Sequence, residues 1–157
     1  MKEFLDKCIN LVKASFDENT IDTIKEIDEK VNSYGDANQL TQAIINILNN
    51  AKDALKEAEK LKKKLIFILT VKEDENNNIV IVIKDNAGGI ADDILERIFE
   101  PYFTTKEATG GTGLGLYITH TIIVKKLKGS ISAENEIFEY DGEEYKGAKF
   151  TVTLPMA

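Results

Sequence analysis

The sequence is poor in several residue types, and each shortage excludes a class of protein. Its 157 residues include one cysteine, Cys8, two prolines and no tryptophan. A single cysteine excludes a disulfide scaffold and a cysteine-rich metal site. No window reaches the apolar length of a membrane span, and the residues after Met1, "KEFLDK", do not resemble a signal sequence. We therefore expect a cytoplasmic protein without direct membrane insertion.

Basic residues are fewer than acidic ones, 20 against 27, so the net charge at pH 7 is -7. This balance argues against a general binder of nucleic acid or of anionic membranes, so any phosphate site must be local and preorganised. The hydrophobic share of 43% and the charged share of 30% are typical of a globular chain rather than a disordered one. The length fits a single domain over residues 1–157.

Apolar residues at helical spacing predict the helices. An amphipathic helix opens the chain within residues 4–16, and the strongest helix runs from Gln39 to about Lys60. A short helix over "ADDILERIF" stops at Pro101, and a last helix carries "LGLYITHTIIVKKLK", with Gly129 just past its end. The apolar stripe of the strongest helix consists of Leu40, Ile44, Ile47, Leu48, Ala51 and Leu55.

Alternating and continuous apolar runs predict the strands. The segment "TIDTIKEIDEKVNSYGD" predicts two short strands, and "LIFILTV" and "IVIVI" predict a buried antiparallel pair. The strands "SISAEN" and "AKFTVTL" close the chain across a tight turn at Asp141 and Gly142. This order predicts an α/β two-layer sandwich, with a mixed, mostly antiparallel sheet and helices on one face.

Three polar residues share one side of the strongest helix. Asn46, Asn50 and Asp53 are separated by four and three residues, and they lie well away from the apolar stripe. Such a row is a solvated face, or it is a set of oxygen ligands for Mg²⁺, which takes few protein oxygens and completes its shell with waters and phosphates. Taken alone, the cluster favours the solvated face.

A second stretch, "GGTGLGL", indicates an anion site. Gly111, Gly113 and Gly115 let a ligand approach the backbone, and the helix that begins at about Leu114 directs N–H groups towards it. The spacing matches neither the P-loop nor the dinucleotide-binding motif. Glycines at a loop-to-helix junction are also common without any ligand, so this signal is ambiguous by itself.

The third stretch, "DNAGGI", follows the apolar strand "IVIVIK". A carboxylate at the end of a buried strand, Asp85, is costly to desolvate unless it has a partner. It suits an exocyclic amino group such as that of adenine, and it would repel the carbonyl that guanine carries there. Ala87, Gly88 and Gly89 leave room for a flat ring. The alternative is an Asx-type turn that only closes the strand.

In this order the stretches resemble the catalytic ATP-binding domain of bacterial sensor histidine kinases, within the GHKL superfamily of gyrase and heat-shock chaperone ATPases. "NILNNAKDAL" is similar to the N box, "DNAGGI" to the first glycine box, "IFEPYFTTK" to the phenylalanine box and "GTGLGL" to the second glycine box. The resemblance implies a Bergerat-type fold. It covers a motif-bearing core over residues 36–157, and residues 1–18 form an N-terminal helix or linker.

The resemblance also implies roles for individual residues. Asn50 would bind the Mg²⁺ that bridges the phosphates, Asp85 would hold the adenine amino group, and Gly89 would give the ring space. Lys106 would reach the terminal phosphates from a lid over about Thr104 to Thr112. The implied catalytic residues are Asn46, Asn50 and Lys106. The implied nucleotide-binding residues are Asn46, Asn50, Asp53, Asp85, Ala87, Gly89, Ile90, Phe103, Thr104, Thr105, Lys106, Gly111, Thr112, Gly113, Leu114, Gly115 and Leu116.

Three positions bear on the activity that the resemblance implies. Ala87 and Asp53 replace a frequent Gly and Lys, and the second change puts a cationic phosphate contact in doubt. Asn46 stands where the ATPases of the superfamily carry a water-activating Glu, and an amide cannot act as a base. The expected activity is therefore transfer of the γ-phosphoryl group of Mg-ATP to a histidine on a separate dimerisation helical domain, with a response regulator downstream.

Two other functions stay open at this stage. One is a serine kinase of the same superfamily that acts on a protein partner. The other is an ATP-binding regulatory module without transfer. The single histidine, His120, shares a face with Leu116, Ile123 and Leu127, so we expect it to pack at a core edge and not to accept phosphate.

Overall fold

The structure is a computed structural model that describes residues 6–8, 10, 21–28, 37–58, 65–103 and 114–155. Residues 6–8 and 10 are helical. The labelled elements follow in the order β1 (Ile21–Ile27), α1 (Ala37–Ala58), β2 (Leu65–Glu73), β3 (Ile79–Asp85), α2 (Asp92–Leu95), α3 (Gly115–Thr121), β4 (Ser130–Tyr140) and β5 (Glu143–Leu154). A π-helical turn, Ile122–Lys126, continues α3.

The strands form one sheet in the order β1-β2-β3-β5-β4. β1 and β2 are parallel and α1 connects them, whereas every other neighbouring pair is antiparallel. The predicted pair formed by β2 and β3 is confirmed. The turn between β4 and β5 is also confirmed, because Asp141 and Gly142 both have positive φ, at 53° and 81°. The sheet and its helices confirm the predicted α/β sandwich.

The core lies between the sheet and the helices. Alternate residues of β3 (Ile79, Ile81 and Ile83) are at most 1% exposed, and they share one core with α1 and with the last helix. Val80 and Val82, on the other face of β3, are 9% exposed, so both faces of this strand are buried, as its continuous apolar sequence predicts. All six residues of the predicted α1 stripe are buried: Leu40, Ile44, Ile47, Leu48, Ala51 and Leu55.

Cys8 belongs to the same core. It is buried, and burial raises the pKa of its thiol to about 11. The thiol therefore stays protonated at neutral pH and behaves as a small apolar side chain. Most of the opening helix predicted over residues 4–16 lies outside the described residues.

Some predicted boundaries differ from the structure. α2 spans four residues, because the chain turns at Glu96 instead of continuing to Phe99. β4 and β5 extend beyond the predicted strands and form a long hairpin. Of the two strands predicted before α1, one is present as β1, and the place of the other lies in residues 29–36, outside the described residues.

The end of the last helix also differs from the prediction. Lys128, with φ 58°, is the left-handed residue that ends it, not Gly129. A Cβ at Gly129 would overlap the carbonyl oxygen of Thr153 on β5, so this glycine permits a close backbone approach. None of the helices in the described ranges is long and apolar enough to cross a membrane.

Candidate nucleotide-binding site

Asp85 is the buried carboxylate of the site. It ends β3 and is 3% exposed. Its Oδ1 accepts hydrogen bonds from the backbone N–H of Ala87, at 3.0 Å, and from that of Ala148 on β5, at 3.3 Å. The hydrogen bond from Ala87 forms an Asx-type turn, which is the alternative to ligand binding that the sequence left open. Asp85 therefore closes the strand and is also tied to the neighbouring strand.

The second oxygen of Asp85 has no such partner. No residue that the structure describes donates a hydrogen bond to Oδ2. Burial raises the pKa of Asp85, although the two backbone N–H groups act in the opposite direction. Among the described residues Oδ2 has no donor, so it is the oxygen of Asp85 that a ligand amino group would bind.

Two glycines follow Asp85 in left-handed backbone conformations. Gly88 has φ 97° and Gly89 has φ 87°. The N–H of Gly88 donates to the carbonyl of Lys146 at 3.0 Å, and a Cβ at Gly88 would meet nothing within 4 Å. A Cβ at Gly89 would lie 2.7 Å from Oδ1 of Asn135. A side chain at Gly89 would therefore force the Asn135 amide to move, in addition to the strain of the positive φ.

Two residues that hold this region in place were not predicted from the sequence. Asn135 on β4 hydrogen-bonds both backbone groups of Ile90. A Cβ at Gly147 on β5 would overlap the carbonyl oxygen of Asp85. A glycine inside a strand is a known signal of close backbone approach, so Gly147 could have been flagged. Nothing in the sequence around Asn135 indicates its partner, which lies 45 residues away.

The polar side of α1 faces the start of α3. Asn46, Asn50 and Asp53 are all half-buried, so they do not form a fully solvated face. The Nδ2 of Asn46 donates to the carbonyl of Gly115 at 3.3 Å, and the hydroxyl of Thr119 donates to the same carbonyl at 2.9 Å. The structure therefore brings together two of the predicted site residues, Asn46 and Gly115, from segments 69 residues apart.

The start of α3 carries an exposed glycine and no polar cap residue. Gly115 is exposed, and a Cβ there would meet nothing within 4 Å. Leu114 occupies the N-cap position, and its side chain cannot accept a hydrogen bond from the first turn. Among the described residues, no side chain caps this end of the helix, where it would compete with an anion.

Other predicted site residues lie at the edge of the core. Ala87, Ile90, Phe103 and Leu116 are partly buried and pack against it. The guanidinium of Arg97 lies over the Phe103 ring, 4.5 Å from its centroid. The predicted lid lies outside the described residues, and with it the site residues Thr104, Thr105, Lys106, Gly111, Thr112 and Gly113.

Comparison with known proteins identifies the family. Residues 35–157 match the family model of the histidine kinase-, DNA gyrase B-, and HSP90-like ATPases. The chain therefore belongs to this family, and kinase domains of the family bind ATP. The match covers the region that the sequence motifs indicated.

Two curated relatives are sensor or sporulation kinases. The chain is 44% identical over 123 residues to the two-component sensor PprA of Pseudomonas aeruginosa, which covers 78% of this chain and 12% of the relative. It is 34% identical over 154 residues to sporulation kinase E of Bacillus subtilis, covering 98% of this chain and 18% of the relative. The chain thus spans less than a fifth of either relative.

A solved structure shares the fold at the scale of the whole chain. The catalytic domain of histidine kinase ThkA superposes with a TM-score of 0.78 at 25% sequence identity, covering 99% of this chain and 92% of that domain. The described fold is therefore that of a histidine kinase catalytic domain.

Proposed function

We propose that this chain is the catalytic domain of a sensor histidine kinase. It binds Mg-ATP between α1, the loop Asp85–Ile90 and the start of α3. It then transfers the γ-phosphoryl group to a histidine on the dimerisation helical domain of the same kinase, from which a response regulator receives it. The motif-bearing core over residues 36–157 carries this activity, and the reaction takes place in the cytoplasm, where ATP is available.

Asp85 is the observation that carries the proposal. Its Oδ1 is held by two backbone N–H groups, and its Oδ2 receives no hydrogen bond from the described residues. The amino group of adenine would supply the missing donor, whereas guanine would place a carbonyl oxygen against the carboxylate. The lack of a Cβ at Gly88, with open space around that position, leaves room beside the loop.

Mg²⁺ fits the oxygen-bearing side of α1. Asn46, Asn50 and Asp53 offer amide and carboxylate oxygens, the hard ligands that this ion prefers. Among the described residues, no group of three or more His, Cys, Asp or Glu is placed to hold a metal ion by itself. In the proposal Asn50 would bind Mg²⁺ together with phosphates and waters, and the ion would supply positive charge for the transferred group.

Asn46 supports transfer over hydrolysis. Gly115 presents a carbonyl oxygen to it, which can only accept, so the amide nitrogen is the atom that faces α3. A glutamate at this position would place a second acceptor against that carbonyl and would also supply a base for water. The amide joins the two helices and leaves the nucleotide without a base at this position.

His120 is unsuited to accept the phosphoryl group. It is half-buried, and its ring lies 5.5 Å from that of Phe99, centroid to centroid. It also lies on the same rigid helix as Gly115, one turn and a residue from its start, so it cannot turn towards a phosphate bound there. The acceptor histidine therefore belongs to another domain.

The test is a transfer reaction with a separately supplied dimerisation helical domain that bears its acceptor histidine. The chain and γ-labelled Mg-ATP should put acid-labile label on that domain, and His120→Gln should leave the transfer intact. Replacing the acceptor histidine of the helical domain should abolish the label. ATP binding without transfer would overturn the kinase proposal, and label on His120 would overturn the assignment of the acceptor.

A further inference from the structure

One side chain outside all the motifs holds the end of the loop that carries Asp85. Asn135, in the middle of β4, accepts a hydrogen bond from the N–H of Ile90 at 2.7 Å through Oδ1. Its Nδ2 donates to the carbonyl of the same residue at 2.6 Å. Ile90 is thus bound through both of its backbone groups, as a strand residue would be by a neighbouring strand.

The contact is one of three points at which the loop is hydrogen-bonded to the β4–β5 hairpin. The β4–β5 hairpin binds the start of the loop where Ala148 donates to Asp85, and its middle where Gly88 donates to Lys146. Asn135 binds its end. A loop with two consecutive glycines has wide conformational freedom when nothing holds it. The hairpin therefore holds the loop at its start, its middle and its end.

The chemistry of the contact is specific to an amide. Ile90 presents one donor, its N–H, and one acceptor, its carbonyl oxygen. A side chain that binds both needs an acceptor and a donor in the same plane, as an amide has. Aspartate matches the donor but repels the carbonyl, and alanine matches neither. The contact also depends on Gly89, because a Cβ there would come within 2.7 Å of the Asn135 oxygen. Asn135 and Gly89 form one unit although they belong to different parts of the fold.

We propose that Asn135 is a positioning residue for nucleotide binding, which preorganises the loop Asp85–Ile90 from β4, the outer strand of the β4–β5 hairpin. The inference rests on the proposed ATP site. A loop already in its binding conformation spares the nucleotide the entropic cost of ordering it. Asn135 is expected to act on affinity through the loop, without touching the nucleotide.

The test compares Asn135→Ala and Asn135→Asp with Ser132→Ala, an exposed position on the same strand. ATP dissociation constants are measured by calorimetry at a temperature where circular dichroism shows each variant folded, and urea unfolding is measured without nucleotide. We expect both Asn135 variants to bind ATP about tenfold more weakly. Asn135→Ala loses both hydrogen bonds to Ile90, whereas Asn135→Asp keeps the bond from the N–H and places a carboxylate oxygen against the carbonyl. Ser132→Ala should match the wild type.

The outcomes separate the inference from the proposed function. If the wild type binds ATP and the folded Asn135 variants bind it equally well, Asn135 is merely structural and the inference is wrong. A lower unfolding midpoint with unchanged affinity has the same meaning. If Asn135→Ala does not fold, the near-isosteric Asn135→Asp decides. If the wild type itself binds no ATP, the proposed function fails and the inference fails with it.

Discussion

Two aspartates close neighbouring strands of this sheet, and they use their carboxylates differently. Asp74 directly follows β2, and Asp85 ends β3. Both accept a hydrogen bond from the backbone N–H two residues further on, at 2.9 Å for Asp74 and 3.0 Å for Asp85. Their local turns are therefore alike, although Asp74 lies nearer the solvent.

The difference lies in the second oxygen of each side chain. Oδ1 of Asp74 also accepts from the N–H of Asn78, and its Oδ2 accepts from the side chain of the same residue. These bonds lower the pKa of Asp74, whereas burial raises that of Asp85. Both oxygens of Asp74 accept hydrogen bonds within its own turn, whereas Oδ2 of Asp85 accepts none from the described residues. An Asx turn and a ligand site are thus compatible in one residue.

The largest expected effect comes from the strand packed against Asp85. Gly147→Ala should lower the free energy of unfolding by about 3 kcal/mol, because its Cβ would overlap the carbonyl oxygen of Asp85. Gly142→Ala is the control, since that turn glycine has open space but a positive φ, and it should cost about 1 kcal/mol. Urea unfolding measures both. Equal costs would mean that β5 can move away from Asp85.

The second effect is on binding. Asp85→Asn should weaken ATP binding by roughly 2 kcal/mol, or about thirtyfold, the scale for a hydrogen bond to a charged acceptor. Asp74→Asn is the matched control, because it changes the same group at the other strand end and should leave affinity unchanged. Isothermal calorimetry on folded variants measures both. Unchanged affinity in Asp85→Asn would contradict the proposed contact between Asp85 and adenine.

A third effect concerns thermal stability without nucleotide. Asp85→Asn is the more damaging of the two variants for ATP binding, but Asp74→Asn should be the more damaging for stability. Asp74→Asn should lower the melting temperature. The Asp74 carboxylate accepts hydrogen bonds from Asn76 and Asn78 through both oxygens, and an amide has only one oxygen, which is uncharged. Asp85→Asn should be no less stable than the wild type at neutral pH, because it removes a buried charge. A melting temperature that falls more for Asp85→Asn would contradict the comparison.

The smallest effect is the pH dependence of stability, where the two carboxyls have opposite signs. Asp85 has a raised folded-state pKa, so its contribution is complete below the unfolded pKa, about 3.9, and is lost as the pH rises through the folded pKa. Asp74 has a lowered pKa, so its contribution is complete above the unfolded pKa and is lost as the pH falls through the folded value.

Each carboxyl can be isolated by subtraction. Urea unfolding of the wild type and of each Asn variant is followed from about pH 3 to about pH 8, and the differences in unfolding free energy are compared. Relative to Asp85→Asn, the wild type should lose stability as the pH rises. Relative to Asp74→Asn, it should gain stability. Differences of the same sign would show that burial does not dominate at Asp85.

The sequence predicted the elements better than it predicted their contacts. The continuous apolar run of β3 and the helical stripe of α1 place their buried residues correctly, because both patterns are local. The end of α2 at Leu95 was not predictable in this way, because "ERIF" continues a helical pattern that the fold ends with turns. Lys128 adopts the left-handed conformation instead of Gly129, because β5 needs the glycine for close approach.

For the site, the sequence indicated residues that a ligand could contact and missed those that hold them. Asp85 and the asparagines of α1 are unusual in their local contexts, so they stand out in the sequence. Asn135 lies in an ordinary alternating strand, and its role depends on a register between distant segments. The partner of Asn46, the carbonyl of Gly115, is a backbone atom that no side-chain pattern could reveal.

The most direct test of the account is an amide NMR titration of the wild-type chain with Mg-ATP. We expect the largest shifts at the amides of Gly88, Gly89 and Ile90, and further shifts where α1 meets the start of α3. The amides of Asn76 and Asn78, in the completed turn at Asp74, should not move. Shifts that spare the Asp85 loop, or that are as large at the Asp74 turn, would contradict the placement of the nucleotide.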